Sequence, residues 1–473
     1  LNPIATFISR VIIEPLNLKE IESVFRNFQE KVKPQVDQLY EICCPYCGNR
    51  AIGTHYIHRN NTIEKIWFEC PSCKLKKGEK SVSEEDLETY HKLTYEDVPF
   101  WYPERIELFN NSRINSRSDM SIRDFFTPRN LYSASIIYKE IEDISELSIR
   151  NFFKMVFTGA LPQMTNMVFI VRNRGKFNGK VHNSKEEVGS WVIGYWIPLE
   201  HFEINVWRCF ENRFRKVLKG KKEAMSFLGD VEVAKSFTDF AAGKTQVFIY
   251  TNTAIDMSFI PDESIDYIFT DPPHGDRVPY LELSALWASW IGVNLDFEKE
   301  IIVSDAKERQ KDAENYIGLL YKSFKEMYRV LRPGKFISVA FNNLDDEIWL
   351  AFLDILTSSG FEIIDVSPMF YSTGSVVQDT RKGGLMSDFV FTCRKREKPI
   401  KPFVFNLMIE KKDNIHMYIA KACNKLKNDS KVSHIKIYHI LNYVIPQLVI
   451  ERKAFRISDL VKLSEEAFTE KKK

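Results

Sequence analysis

The sequence predicts an α/β protein centred on one half of a doubly wound sheet, and two observations carry that prediction. Between residues 265 and 341 the apolar pattern passes from strand to loop, to helix, and back to strand. That order belongs to parallel sheets with crossover helices. The first strand, Ile265-Asp-Tyr-Ile-Phe-Thr270, stops abruptly at Asp271-Pro272-Pro273-His274. Proline fixes φ and restrains its predecessor, so the loop is pre-shaped at the carboxyl end of a strand, where open α/β sheets bind ligands.

The neighbouring elements follow in order. Gln246-Val-Phe-Ile-Tyr-Thr251 reads as a strand, and Ile260-Pro-Asp-Glu-Ser-Ile-Asp266 as a turn into the next. From Tyr316 to Leu331 a helical stripe places Ile317, Leu320, Tyr321, Phe324, Met327 and Leu331 on one side and ends at Arg332-Pro333-Gly334. Phe336-Ile-Ser-Val-Ala-Phe341 then reads as the next strand.

The Asp-Pro-Pro loop suits methyl transfer to an exocyclic amine of a nucleobase. The Asp271 carboxylate and the carbonyl before the rigid turn can both accept from an NH2 group, holding the nitrogen lone pair toward a methyl donor. The His274 ring can stack on a base taken out of its helix. A strand-ending turn alone explains the tripeptide about as well; the surrounding strand and helix pattern favours the functional reading.

Cysteine spacing supplies a second signal. Cys44-Pro-Tyr-Cys47 and Cys70-Pro-Ser-Cys73 are two knuckles separated by 22 residues, the arrangement of a zinc ribbon. Four thiolates close a tetrahedral site with no open position, so the metal is expected to be structural. Thr54–His58 and Ile66–Glu69 read as the ribbon's strands. Adjacent Cys43 reads as a bystander, with its adjacency to Cys44 leaving the choice of ligand open, while Cys209, Cys393 and Cys423 read as packed thiols. Disulfides do not fit a chain with neither a leader nor a long apolar run.

With 473 residues, 44% hydrophobic and 13% aromatic, the chain can bury two or three cores. Its 66 basic and 64 acidic residues nearly cancel, but the segment from Arg394 onward carries 19 basic against 9 acidic. Such a region can touch phosphates nonspecifically or form a solvated helical face. Basic stretches also occur at Val171–Lys180 and Arg213–Lys222, both candidates for phosphate contact. Asp124-Phe-Phe-Thr127-Pro128-Arg129-Asn130 leads into a helix over Tyr132–Ile144, and capping accounts for Thr127 and Pro128 as readily as a ligand does.

Residues from about 245 to 395 resemble the catalytic half of adenine-specific DNA methyltransferases that contain a zinc ribbon. The resemblance rests on Asp271-Pro-Pro-His274, Val278-Pro-Tyr-Leu-Glu-Leu-Ser284 with Trp287 and Trp290, Tyr328-Arg-Val-Leu-Arg-Pro-Gly334, and Gly383-Gly-Leu-Met-Ser-Asp388-Phe389. The family usually carries Tyr, Phe or Trp where this chain has His274. The resemblance implies a Rossmann-like, S-adenosylmethionine-dependent methyltransferase sheet, a zinc-ribbon and α+β insertion, and a helical C-terminal region. Asp271, Pro272, Pro273 and His274 are then the catalytic loop acting on the N6 amine of adenine in flipped double-stranded DNA. By the same resemblance Leu1–Phe7 is similar to the segment after the second sheet strand, which makes Asn2 and Pro3 cofactor neighbours. Thr127 and Asn130 become polar cofactor contacts, and Asn252 stands where relatives carry an acid for the cofactor adenine.

Two of the family's features are missing: the acidic residue before Leu1 and any aromatic-x-Gly-x-Gly loop after a strand. A preceding segment or a partner chain is expected to supply them. The expected organisation is a partial methyltransferase segment over 1–35, a ribbon over 36–82, an insertion with target recognition over 83–240, the catalytic half over 241–396 and a basic helical region over 397–473. A prokaryotic cytoplasmic enzyme of restriction-modification or phage defence fits these features. N4 of cytosine, an RNA base, or a noncatalytic DNA-binding subunit remain alternatives.

Overall fold

The computed structural model describes residues 1–60, 62–172, 175–177, 180–182, 186–189, 194–276, 278–370, 387–397, 409–427 and 437–469. Parts of the basic loop at 171–180, residues 383–386 of the Gly383–Phe389 motif and the final lysines lie outside them. The chain divides into two compact units, one of residues 2–251 with 280–297, the other of residue 1, 252–279 and 298–473.

The first unit begins with helix α1 (Pro3–Ile13), started by the Asn2 side chain accepting from the Ile4 N–H at 3.0 Å, with proline in the first turn. Asn2 and Pro3 thus form a helix start, as their residue types dictate. Helices α2 (Leu18–Lys31) and α3 (Lys33–Gln38) follow. Strands β1 (Glu41–Cys43), β2 (Arg50–Arg59), β3 (Thr62–Cys70) and β4 (Leu75–Ser81) form an antiparallel sheet in chain order, joined by β5 (Glu200–Ile204) on β2. Because β5 lies about 140 residues away in the chain, the ribbon is built into the insertion rather than standing alone.

The same unit contains α4 (Glu84–His91), α5 (Pro128–Glu142), α6 (Leu147–Met164), α7 (Val206–Leu228) and α8 (Tyr280–Ile291). Phe25, Phe28, Phe153, Phe210 and Phe214 pack as a ring cluster, with Phe25 and Phe214 stacked at 3.7 Å. Lys221, only 2% exposed, donates from Nζ to the carbonyls of Val11 at 2.7 Å and Ile12 at 2.8 Å, and to Glu14, closing the carboxyl end of α1.

Glu203 on β5 is fully buried and accepts from His58 Nε2, Thr127 Oγ1 and Arg129 Nε, each at 2.9 Å. The Arg129 guanidinium lies over Tyr40, Tyr56 and Tyr90 at 3.8 to 4.9 Å. Burial pushes the Glu203 carboxyl up, but Arg129, His58 and Thr127 outweigh it and hold the group down at about 2.

Gln246–Thr251 is not a ladder strand, contrary to its pattern. Among the described residues only Val247 bridges, to Val233, and no strand lies alongside the rest.

The second unit holds a four-stranded sheet. Its strands are β6 (Ile265–Thr270), β7 (Leu331–Phe341), β8 (Phe361–Phe370) and β9 (Ser387–Lys395), in spatial order β6-β7-β9-β8. β6 and β7 are parallel, and β9 runs antiparallel to both β7 and β8. Helix α9 (Ala313–Val330) connects β6 to β7, capped by Asp312 accepting from the Asn315 N–H at 2.8 Å. The helix runs straight into β7, and the register jump between Ile265↔Leu331 and Tyr267↔Phe336 absorbs Arg332–Lys335 as a bulge.

Helices α10 (Asp346–Ser358), α11 (Lys412–Lys427), α12 (Ile437–Ile450) and α13 (Ile457–Thr469) complete this unit. Trp349 is fully buried against Phe389, Phe391 and Phe455, and Phe341 stacks on Phe352 at 3.9 Å. Each such side chain contributes about 1.5–3 kcal/mol by leaving water. Arg329 and Arg332 of the Tyr328–Gly334 motif are structural. Arg329 donates to the carbonyls of Met257 and Ile260, and Arg332 forks onto Asp266. No described helix is long and apolar enough to cross a membrane.

The outer edge of β6 is unpaired among the described residues. Tyr267 and Phe269, on one face, are 55% and 64% exposed, and Phe336 beside Tyr267 is 38% exposed. Parallel sheets ordinarily bury both faces, and bare edges invite further strands.

Candidate amine-binding loop and metal centre

Asp271 follows the last residue of β6, with its side chain 63% exposed. The rest of the turn is fixed from behind. Tyr316 on α9 donates from its hydroxyl to the Pro273 carbonyl at 2.5 Å. Asn343, two residues past β7, donates from Nδ2 to the His274 carbonyl at 3.1 Å and accepts from the Asp345 N–H at 2.7 Å. Gly275 has φ +69°, and a Cβ there would meet Ile348 Cδ1 at 2.9 Å and Asn343 Nδ2 at 3.0 Å. Its positive φ favours glycine, and any side chain there would have to displace Ile348 Cδ1 and Asn343 Nδ2.

The carboxyl ends of the adjacent parallel strands β6 and β7 are thus tied into one platform, with Asp271 as its exposed acceptor. Tyr316, Asn343 and Gly275 were not singled out from the sequence. Gly275 directly after His274, and Asn342-Asn343 directly after a strand, were the available signals.

His274 behaves differently from the expected stacking ring. Its side chain is 13% exposed and meets Phe341 nearly edge-on, with centroids 5.1 Å apart and planes at 75°. Nε2 lies 3.0 Å from Asp271 Oδ1, but the approach is not aligned as a hydrogen bond, and Nε2 has no hydrogen-bond partner among the described residues. In this arrangement the imidazole is a close neighbour of the acceptor, and stacking on a base requires it to turn outward.

The residues expected near a cofactor are spread across both units. Thr127 caps α5 by accepting from the Asn130 N–H at 3.1 Å. Asn130 is fully buried, bonded to Tyr40 Oη, the Met164 carbonyl and the Ile204 carbonyl. The polar atoms of Thr127 and Asn130 are consumed by the core, which is the capping alternative. Asn252 closes a local turn by donating to the Asp256 carbonyl at 3.0 Å. Asn2 Nδ2 donates to Ser284 Oγ at 2.7 Å.

The four knuckle cysteines converge. The sulfurs of Cys44, Cys47, Cys70 and Cys73 all lie within 4.8 Å of one another, with Cys44–Cys73 at 3.9 Å and Cys47–Cys70 at 3.7 Å. A tetrahedron with metal–sulfur bonds of about 2.3 Å has edges of about 3.8 Å, so the set fits Zn2+. Gly48 and Lys74, with φ of 70° and 55°, close the two knuckles. The Asn49 backbone N–H and the neighbouring thiols lower Cys47, while Cys47 and burial raise Cys73, so without a metal the four sulfurs do not all ionise readily. Cys43 is exposed and bonds the Gly48 carbonyl at 3.5 Å, outside the quartet.

No family model matches the chain, and no curated protein matches its sequence. Among solved structures, a presumed DNA modification methylase from Thermus thermophilus is similar over 35% of this chain and 61% of its own, at 14% identity and a TM-score of 0.20. Its complex with S-adenosyl-L-methionine matches 46% of this chain and 94% of its own, at 13% identity and 0.20. The PvuII DNA methyltransferase, cytosine-N4-specific, matches 46% and 84%, at 13% identity and 0.22. At TM-scores this low the likeness carries no weight for fold or activity.

Proposed function

We propose that this chain carries the amine-orienting half of an S-adenosylmethionine-dependent DNA methyltransferase acting on N6 of adenine. The observation that carries this reading is the exposed Asp271 carboxylate on a turn fixed by Tyr316, Asn343 and Gly275 at the carboxyl ends of two parallel strands. A carboxylate and a carbonyl held in place can grip both hydrogens of an amine and aim its lone pair, and such positioning lowers barriers without the protein taking part in bond making. S-adenosylmethionine, when bound, supplies the methyl group. Pro272 and Pro273 keep the acceptor geometry, and His274, turned outward, would stack on the flipped base.

The glycine-rich cofactor loop is contributed by further polypeptide, either on the same chain or on a partner. The bare edge of β6 and the exposed Tyr267, Phe269 and Phe336 support this, since added parallel strands would cover them. Asn252, in the same unit as Asp271, is proposed to border the completed pocket, and Asn2 and Pro3 are proposed to serve a cofactor only within their own unit. The four-cysteine site is proposed to hold structural zinc, and the exposed basic side chains of α7 to meet phosphates in double-stranded DNA. A prokaryotic, cytoplasmic modification or defence role follows from the same reading. N4 of cytosine is the alternative target, because the same loop grips either amine.

Transfer of labelled methyl groups to DNA by the completed protein tests this directly. Incorporation that disappears in Asp271→Ala supports it, and incorporation that persists contradicts it.

A further inference from the structure

The knuckle end of the ribbon carries a group of cations that none of the preceding roles uses. Residues 41–81 include seven basic and four acidic side chains, and every one of the acids is already engaged. Glu41 pairs with Arg50, Glu64 with Arg59, Glu69 with Arg208 at 2.6 Å and Glu79 with Lys65 at 3.2 Å, while Lys80 pairs with Asp86 of α4 at 2.7 Å. Lys74, Lys76 and Lys77 remain, exposed and without a carboxylate partner among the described residues.

The backbone gathers them. Lys74, at φ 55°, turns the second knuckle into β4 directly after Cys73. On β4 the register passes from Cys70↔Leu75 to Phe68↔Gly78, so Lys76 and Lys77 both stand opposite the single residue Glu69. Such a bulge suspends the alternation that would send successive side chains to opposite faces. Lys77 Nζ lies 4.7 Å over the ring of Trp67, two residues from Glu69 on the same face of β3. Arg208, in the first turn of α7, meets Glu69 from the helix side. Both cations bear on the buried His55 beside Trp67: burial lowers that imidazole first, and Arg208 and Lys77 add to it, bringing it to about 3.

Helix α7 continues the charge. Arg215 and Lys219 follow Arg208 at seven and eleven positions and so share its stripe of the helix. Their partners, Glu211 and Glu223, lie on the same helix, and pairs with cations 69% and 79% exposed are weak. Together β1 to β4 and α7, residues 41–81 and 206–228, hold 14 basic against six acidic residues. Four thiolates on a zinc ion would add two negative charges and still leave a clear positive excess. Lysine heads are compact point charges that meet phosphates without reading sequence. We propose that Lys74, Lys76 and Lys77 grip the sugar-phosphate backbone of double-stranded DNA, that α7 extends this track, and that the metal holds the knuckle end in place for it. The inference rests on the DNA-binding part of the proposed function and not on the chemistry at Asp271.

Binding of the full chain to a fluorescent DNA duplex, measured over a series of salt concentrations, is the test. Changing Lys76 and Lys77 together to Ala should weaken binding at least about tenfold at low salt. It should also lower the slope of log affinity against log salt by about 2, because each phosphate contact contributes about 0.9, and do so equally on unrelated duplex sequences. Both side chains are exposed, so zinc content and melting temperature should match wild type. No binding of the duplex by the wild-type chain, an unchanged slope in the double variant, a loss confined to one sequence, or tighter binding of duplex RNA than of DNA would overturn the proposal. The labelled-methyl assay separates it from the methyl-transfer reading. Methylation by wild type with full DNA affinity in the double variant removes the ribbon surface alone; duplex binding that the double variant loses, with no methylation by wild type, keeps the ribbon surface and removes the enzyme.

Discussion

Asn2 Nδ2 donates to Ser284 Oγ at 2.7 Å, joining side chains 282 positions apart in the chain. The same Asn2 caps α1 through its Oδ1, so one side chain starts a helix and pins it to α8. Asn2→Ala should therefore cost about 1–2 kcal/mol, from the lost cap and the lost tie. Chemical denaturation with unchanged zinc content is the readout; a change below the error of the fit would remove this role.

Asp271→Ala should abolish methylation while leaving thermal unfolding within error of wild type, because the side chain is 63% exposed and carries no part of the core. Asp271→Asn should retain a fraction of activity, since the amide oxygen still accepts. A variant that unfolds early would place Asp271 in the scaffold instead.

The cysteine quartet should hold one zinc per chain. Cys70→Ser should release it and destabilise the sheet of β1 to β5, because metal binding of this kind is coupled to folding. Cys43→Ser should change neither, since that thiol points outside the quartet. Elemental analysis of protein purified without chelator decides between these outcomes.

Glu203 gives the molecule a defined acid sensitivity. Its folded pKa of about 2 lies below the ordinary value of 4.5, so its contribution is fully present above about pH 4.5 and is lost as pH falls toward 2. Glu203→Gln should flatten the stability profile in that window. Arg129→Met, which leaves a buried carboxylate without its cation, should cost about 3–5 kcal/mol at neutral pH.

Local pattern was a good guide wherever one chain segment decided the outcome. The Tyr316–Leu331 stripe became α9 within three residues at its start, the knuckle spacing brought four sulfurs together, and Ile265–Thr270 formed a strand ending at Asp271. Pattern failed where a distant partner decides. Gln246–Thr251 has strand composition, but among the described residues only Val247 bridges, to Val233. Thr127 and Asn130 looked available to a ligand because nothing local reveals that Glu203, Tyr40 and two carbonyls occupy them. His274 was expected to face a base, yet Phe341, which lies 67 positions further on, sets its packing.

The most direct test of the central claim is single-base mapping of methylated positions in the genome of cells expressing the intact gene, compared with the same gene carrying Asp271→Ala. The account predicts N6-methyladenine at defined sites with the wild-type gene and its loss in the variant. Absence of any methylated base above background with the wild-type gene, or marks that survive Asp271→Ala, would contradict it.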